Sequence, residues 1–86
     1  MDADKHYESV RFYILEAGKT KEELAKHETE YNPEKVRTLI ASYKYTLQKI
    51  IEEGEIYLSL DDNDREKANK VFKAIDAYKK LLNSIK

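Results

Sequence analysis

Apolar and small residues recur along this chain at alternating steps of four and three, in three successive runs. The longest run stands at Val36, Ile40, Tyr43, Leu47, Ile50, Gly54 and Tyr57. Such steps return to one face of an α-helix, whereas a strand changes face at every residue. The start of this helix is also written in the chain. Asn32 is suited to the N-cap, because its side-chain oxygen can accept an otherwise unsatisfied backbone N–H. Pro33 follows at the first helical position, where a missing N–H costs nothing. Glu34 then places negative charge at the positive end of the helix dipole. The pattern predicts helix 2 over 33–59, roughly 40 Å long at 1.5 Å per residue.

Helix 1, predicted over 3–30, carries Ala3, Tyr7, Val10, Ile14, Ala17, Leu24 and Tyr31, with Asp2 or Asp4 suited to cap it. Lys21 and Glu28 stand where two further apolar residues are due. Gly18 admits two readings. It can end a first short helix, with Thr20 and Glu23 forming a capping box for a second. Alternatively, one helix runs through and the glycine costs about 1 kcal/mol. The run keeps its phase across Gly18, which favours a single helix. Helix 3, predicted over 63–85, carries Ala68, Val71, Ile75, Tyr78, Leu82 and Ile85, with Phe72 and Leu81 widening the stripe. Asn63 with Glu66 suits a capping box, and Asp61 is a rival cap. Glu66 with Lys70 and Asp76 with Lys80 are spaced as i,i+4 ion pairs.

The links, Thr29 to Pro33 and Ser59 to Asp64, are short, so successive helices should be antiparallel neighbours. The expected fold is all-α, a single domain over 1–86 forming an up-down-up three-helix bundle of long helices. Its 3.5-residue repeat favours crossing angles near +20°. Gly54 lies on the run of helix 2. It is either a tolerated defect or, the favoured reading, a point where a neighbouring backbone comes close. The core draws on seven tyrosines and no tryptophan, and several tyrosine hydroxyls should sit at its edge to find a partner or water.

Composition narrows the function classes. The 86 residues carry 16 basic and 17 acidic side chains, for a formal charge of −1. A charged surface of both signs argues against nucleic-acid binding, which needs a basic face. The charge is unevenly placed. Residues 1–31 hold 5 basic and 8 acidic groups, 32–60 hold 4 and 4, and 61–86 hold 7 and 5. With no cysteine, there is no disulfide, thiolate nucleophile or cysteine–zinc site. No apolar run approaches the roughly 20 residues that span a bilayer, and there is no leader pattern, so a soluble chain without a targeting segment, cytoplasmic or of unknown compartment, is expected. Helix 3 is mildly basic, but its apolar face is needed for the core, so membrane-surface binding is not expected.

Candidate chemistry is sparse. Most carboxylates fall on predicted outer faces. Ser9, Ser42, Ser59 and Ser84 have only His6 and His27 as conceivable bases, and neither histidine can be paired with a serine from the sequence. Glu23 with His27, and Asp2, Asp4 and His6, are loose groups of metal-ligand types that chance on a charged surface explains. The run Asp61, Asp62, Asn63, Asp64 fails as a calcium loop. Counting from Asp61, Arg65 stands at position 5, Glu66 at the glycine position and Phe72 at the glutamate position. No glycine-rich phosphate loop is present. The expectation is therefore no catalytic site, no metal and no cofactor.

What remains is surface. Phe12 and Leu15 fall outside the run of helix 1, Tyr13 flanks it, and Tyr45 and Ile56 lie off that of helix 2. These side chains belong either to a wide core stripe or to an exposed patch for a protein partner or a second copy. Phe12, Tyr13, Leu15 and Tyr45 are the candidate partner-binding residues.

Two partial resemblances bear on this. Gly54, Tyr57, Ala68 and Phe72 resemble half of a tetratricopeptide repeat, which joins two short helices with such residues on either side of the turn. Here the turn is about two residues longer and there is no second copy. The overall plan, with its acidic second turn, is similar to the BAG domain of chaperone co-factors. That resemblance implies a chaperone contact through a basic pair and a glutamine on the third helix. This chain has Ala68 and Asn69 for the pair and Asp76 for the glutamine, so it lacks those contacts. The leading expectation is a non-enzymatic helical bundle with a structural role, of engineered or designed character given its regular runs and written-out caps. Its tyrosine-rich core, Gly54 and Lys21 count against design. The rival is a small interaction module that binds a helical partner.

Overall fold

A computed structural model describes residues 2–29 and 32–85. It contains three α-helices, α1 (Asp2–Thr29), α2 (Pro33–Ser59) and α3 (Arg65–Ser84), and no strand among the described residues. They form an up-down-up bundle with α2 in the middle. The α2 helix packs along both α1 and α3, while α1 and α3 meet only lightly. The bundle is elongated and flattened, measuring 47 × 21 × 16 Å between Cα atoms.

The apolar runs explain the packing. Val10 and Ala17 of α1 meet Tyr43, Leu47 and Ile50 of α2, and the C-terminal part of α3 (Tyr78, Leu81, Leu82, Ile85) closes over them. At the other end Ala3, Tyr57, Val71 and Ile75 form a second cluster. Leu47, Ile50, Tyr57 and Val71 are almost wholly buried. Burial of each such aliphatic side chain contributes about 1.5–3 kcal/mol. Gly54 sits where α3 crosses α2. A Cβ there would lie 2.9 Å from both Cγ1 and Cδ1 of Ile75 and 3.1 Å from Val71 Cγ1, so the glycine is what lets the two helices close. The neighbour that comes near is the Ile75 side chain, however, and not a backbone. At Gly18, by contrast, α1 continues unbroken and a Cβ would meet nothing within 4 Å.

The caps follow the sequence in part. Asn32 Oδ1 accepts from Lys35 N at 3.3 Å, as its place before Pro33 predicts. The cap of α3 is Asp64, whose carboxylate accepts from Glu66 N at 3.1 Å, so the helix starts one residue later than the Asn63 capping box implies. Asn63 serves the end of α2 instead. Its Nδ2 reaches the carbonyls of Tyr57, Leu58 and Leu60 at 3.2, 3.3 and 2.7 Å. A neighbour in the same acidic turn, Asp62, accepts from Ala3 N at 3.4 Å. One turn thus serves the end of α2 and the starts of both α1 and α3.

Two further expectations are corrected. Phe72 does not widen the core stripe of α3; it is 65% exposed. The Glu66–Lys70 pair is not among the ion pairs of the described residues, whereas Asp76 and Lys80 meet at 3.2 Å. Tyr31, placed on the run of helix 1, lies outside the described residues.

The helices also differ in reach. At 1.5 Å per residue, the 28 and 27 residues of α1 and α2 extend roughly 10 Å further than the 20 of α3. Buried residues accordingly end at Ala17 on α1 and begin at Tyr43 on α2. Between them the chain is a two-helix hairpin without a third partner. Lys21 and Glu28, the two breaks in the run of α1, fall in this stretch.

Candidate interaction surface

Phe12, Tyr13 and Tyr45 stand on the α1–α2 side of the bundle. Phe12 and Tyr45 are each 56% exposed, while Tyr13 is half-buried and packs against the core. The Phe12 and Tyr13 rings meet edge to face with centroids 5.4 Å apart. Lys49 links them to Tyr45. Its ammonium lies 5.6 Å from the Tyr45 ring centre and is also within electrostatic reach of Tyr13. The Glu52 carboxylate, hydrogen-bonded to Lys49 Nζ at 3.3 Å, holds that ammonium above the ordinary lysine range, with Tyr45 adding to the shift. The exposed rings of Phe12 and Tyr45 thus flank the half-buried Tyr13 and Lys49.

Leu15 is separate. It is 66% exposed, but at about 100° per residue it points some 200° away from Tyr13. It lies one turn beyond Arg11, on the solvent side of α1. Ile56, 42% exposed, lies on the back of α2. Phe72 on α3 is the exposed aromatic that the sequence reading assigned to the core. A stripe on α3 that is wider than its one main partner, α2, can cover was the available signal.

The remaining candidates do not assemble into a reactive centre. His6 on α1 pairs with Glu53 on α2, with both side chains half-buried, and no serine joins them. Ser59 and Ser84 donate to carbonyls of their own helices, Ile56 O at 2.7 Å and Leu81 O at 2.6 Å. Glu23 and His27 line a surface hollow with Glu22 and Lys26. Among the described residues, no three histidine, aspartate or glutamate side chains are grouped to hold a metal ion. Two acids of the second turn, Asp62 and Asp64, are used as caps. A hollow of about 560 Å³ is an open trough between α2 and α3 lined by Gln48, Ile51, Glu52, Lys79, Leu82 and Asn83. It contains no histidine and only one carboxylate. The buried Tyr43 phenol is pushed above the ordinary tyrosine range by burial and, second, by Tyr78, which keeps it protonated and structural. Among the described residues, no helix is long and apolar enough to cross a membrane.

No protein-family model matches this chain, and neither a curated protein nor a solved structure matches it. The functional reading therefore rests on the surface alone.

Proposed function

We propose that this protein is a non-catalytic interaction module, a three-helix bundle that works by presenting apolar side chains to another protein. The observation that carries the reading is the exposure of Phe12, Tyr45 and Leu15, each more than half open beside clusters that are already closed. Exposed apolar side chains that adjoin one another, as Phe12 and Leu15 do on α1, offer the kind of surface that a partner covers. Tyrosine and phenylalanine suit such a surface because they offer much area for little lost side-chain entropy. The alternative, an idealised scaffold with a purely structural role, draws support from the caps on α2 and α3. It has no use for a solvent-facing glycine inside α1 or for an exposed Phe72.

The test compares the wild-type chain with Phe12→Ser, Tyr45→Ser. Both positions are open, so the variant should keep its helical circular dichroism. A protein retained on the immobilised wild type and lost on the folded variant supports the module. A concentration-dependent mass in sedimentation equilibrium, abolished in the variant, supports it with a second copy as partner. Identical retention and identical mass for the two chains would leave the scaffold reading in its place.

A further inference from the structure

We infer that the hairpin end, formed by the second half of α1 and the start of α2, is a self-association surface on which a second copy of this chain docks antiparallel, about a two-fold axis near Ala25. The face is separate from that of Phe12 and Tyr45, and the inference does not depend on their having a partner. The hairpin reaches beyond α3, so the side of α1 and α2 that α3 covers lower down continues there uncovered. Seven residues return nearly to the same side of a helix. Tyr7 and Ile14 of α1, and Gln48 and Ile51 of α2, stand on that side against residues of α3. Counting on from them in sevens gives Lys21 and Glu28 on α1, and Ala41, Glu34, Lys44 and Arg37 on α2. Leu24, Val36 and Ile40, each half-buried, lie among these charges.

The order of the charges says what fits. Lys21, Arg37 and Lys44 stand nearer the end of α3, whereas Glu28 and Glu34 stand at the tip. Among the described residues, none of the five is in an ion pair. This side of the hairpin is therefore basic at its root and acidic at its tip. The other charges of the stretch lie elsewhere. Lys19 pairs with Glu16 at 3.6 Å, Glu22, Glu23 and Lys26 surround a separate hollow with His27, and Lys35 falls on the line of Lys49. A wholly acidic or wholly basic partner would satisfy one half of the surface and oppose the other. A parallel second copy would set Lys21 on Lys21 and Glu28 on Glu28. An antiparallel copy sets tip on root twice, with Lys21 against the partner's Glu28 and Glu28 against the partner's Lys21. The axis then passes midway between them, beside Leu24 and Ala25. Ala25 and Ala41 are small and exposed, and a Cβ on Gly18 would meet nothing within 4 Å, so the helices can come close. Exposed ion pairs add little affinity and chiefly set the register. Adhesion comes from covering Leu24, Val36 and Ile40.

The test is sedimentation equilibrium of the whole chain from about 10 μM to about 1 mM. The mass should rise reversibly from the 10.1 kDa monomer toward a dimer. Lys21→Glu and Glu28→Lys, each at an exposed position and each checked for intact helical circular dichroism, should weaken self-association at least about tenfold. An equal mixture of the two should associate again, because one chain then offers two acids and the other two bases. The double variant, Lys21→Glu with Glu28→Lys, should associate as the wild type does. Residues seven apart are not neighbours within a helix, so this rescue reads a contact between chains. In dilute solution the copies part and the hairpin end stands open, so protection of amides 20–28 from hydrogen exchange should rise with concentration. A monomer at every concentration would overturn the inference while leaving the interaction module standing. So would a dimer that neither single variant weakens, or one that both weaken without rescue on mixing. A dimer abolished by Phe12→Ser with Tyr45→Ser, and indifferent to Lys21 and Glu28, would overturn it in favour of the aromatic face.

Discussion

The hydroxyl of Tyr57 accepts a hydrogen bond from the backbone N–H of Asp64 at 3.0 Å and lies 3.5 Å from the same residue's carbonyl oxygen. This joins the buried end of α2 to the residue that caps α3. The ring is fully buried and leans on Tyr7 with centroids 5.5 Å apart. One side chain thus packs three helices' ends and fixes the turn that starts the third. Tyr57→Phe keeps the ring and removes only the hydroxyl. The loss of a partly buried hydrogen bond should lower stability by about 1–2 kcal/mol. Urea unfolding would read this as a lower midpoint at unchanged slope. A midpoint equal to wild type would mean that Asp64 is held by its own cap bond alone.

The two glycines should respond oppositely to the same substitution. Gly18 faces open space within a continuous helix, so Gly18→Ala removes backbone freedom from the unfolded chain and should stabilise by about 1 kcal/mol. Gly54→Ala gains the same propensity but drives a Cβ to 2.9 Å from Ile75 Cγ1 and Cδ1. Isoleucine is stiff at χ1 and its Cγ1 is not a free end. Overpacking of this kind costs about 1–3 kcal/mol, so the net change should be a loss. Melting temperatures of the two variants should move in opposite directions, and a rise in both would show that Ile75 can turn aside without cost.

These residues also show what was legible in the chain. The helices could be read because caps and periodicity are local, and Asn32 before Pro33 leaves little choice. The cap of α3 could not be read with the same certainty. Asp61, Asp62, Asn63 and Asp64 are all competent, and a contact with Tyr57, seven residues earlier, helps select Asp64. Lys21 and Glu28 look like faults in a helical run. They become intelligible once α3 is seen to stop short of them, because a charged residue suits a face with no third helix. Phe72 was misplaced for a related reason: α3 packs mainly on one neighbour, so its buried stripe is narrower than its apolar one. The separation of Leu15 from Tyr13 follows from helical geometry alone.

The unsupported end of the hairpin should be the first part to open. No described residue between positions 18 and 42 is buried, whereas Ala3, Val10 and Ala17 and the stretch from Tyr43 to Tyr57 anchor the rest. Opening there exposes little apolar surface and therefore needs less free energy than global unfolding. Hydrogen exchange should show amides of 20–28 and 36–41 protected at least about tenfold less than those of 8–16 and 45–56. Uniform protection along both helices would mean that the hairpin end is held by a contact outside this chain's own bundle, such as a second copy.

The buried phenol of Tyr43 gives the fold an alkaline limit. Burial is the larger cause of its raised pKa and the neighbouring Tyr78 the smaller. In the unfolded chain the same group ionises near pH 10. Below about pH 10 both states hold the proton and this contribution to stability is fully present. As pH rises from there through the folded value, the unfolded chain loses its proton first, so stability falls. Tyr43→Phe should therefore flatten the decline in denaturation midpoint above about pH 10, and Tyr78→Phe should flatten it less, because it removes only the smaller cause. If wild type and Tyr43→Phe decline with the same slope, Tyr43 ionises as readily in the folded bundle as in the unfolded chain, and the alkaline limit must lie with other groups.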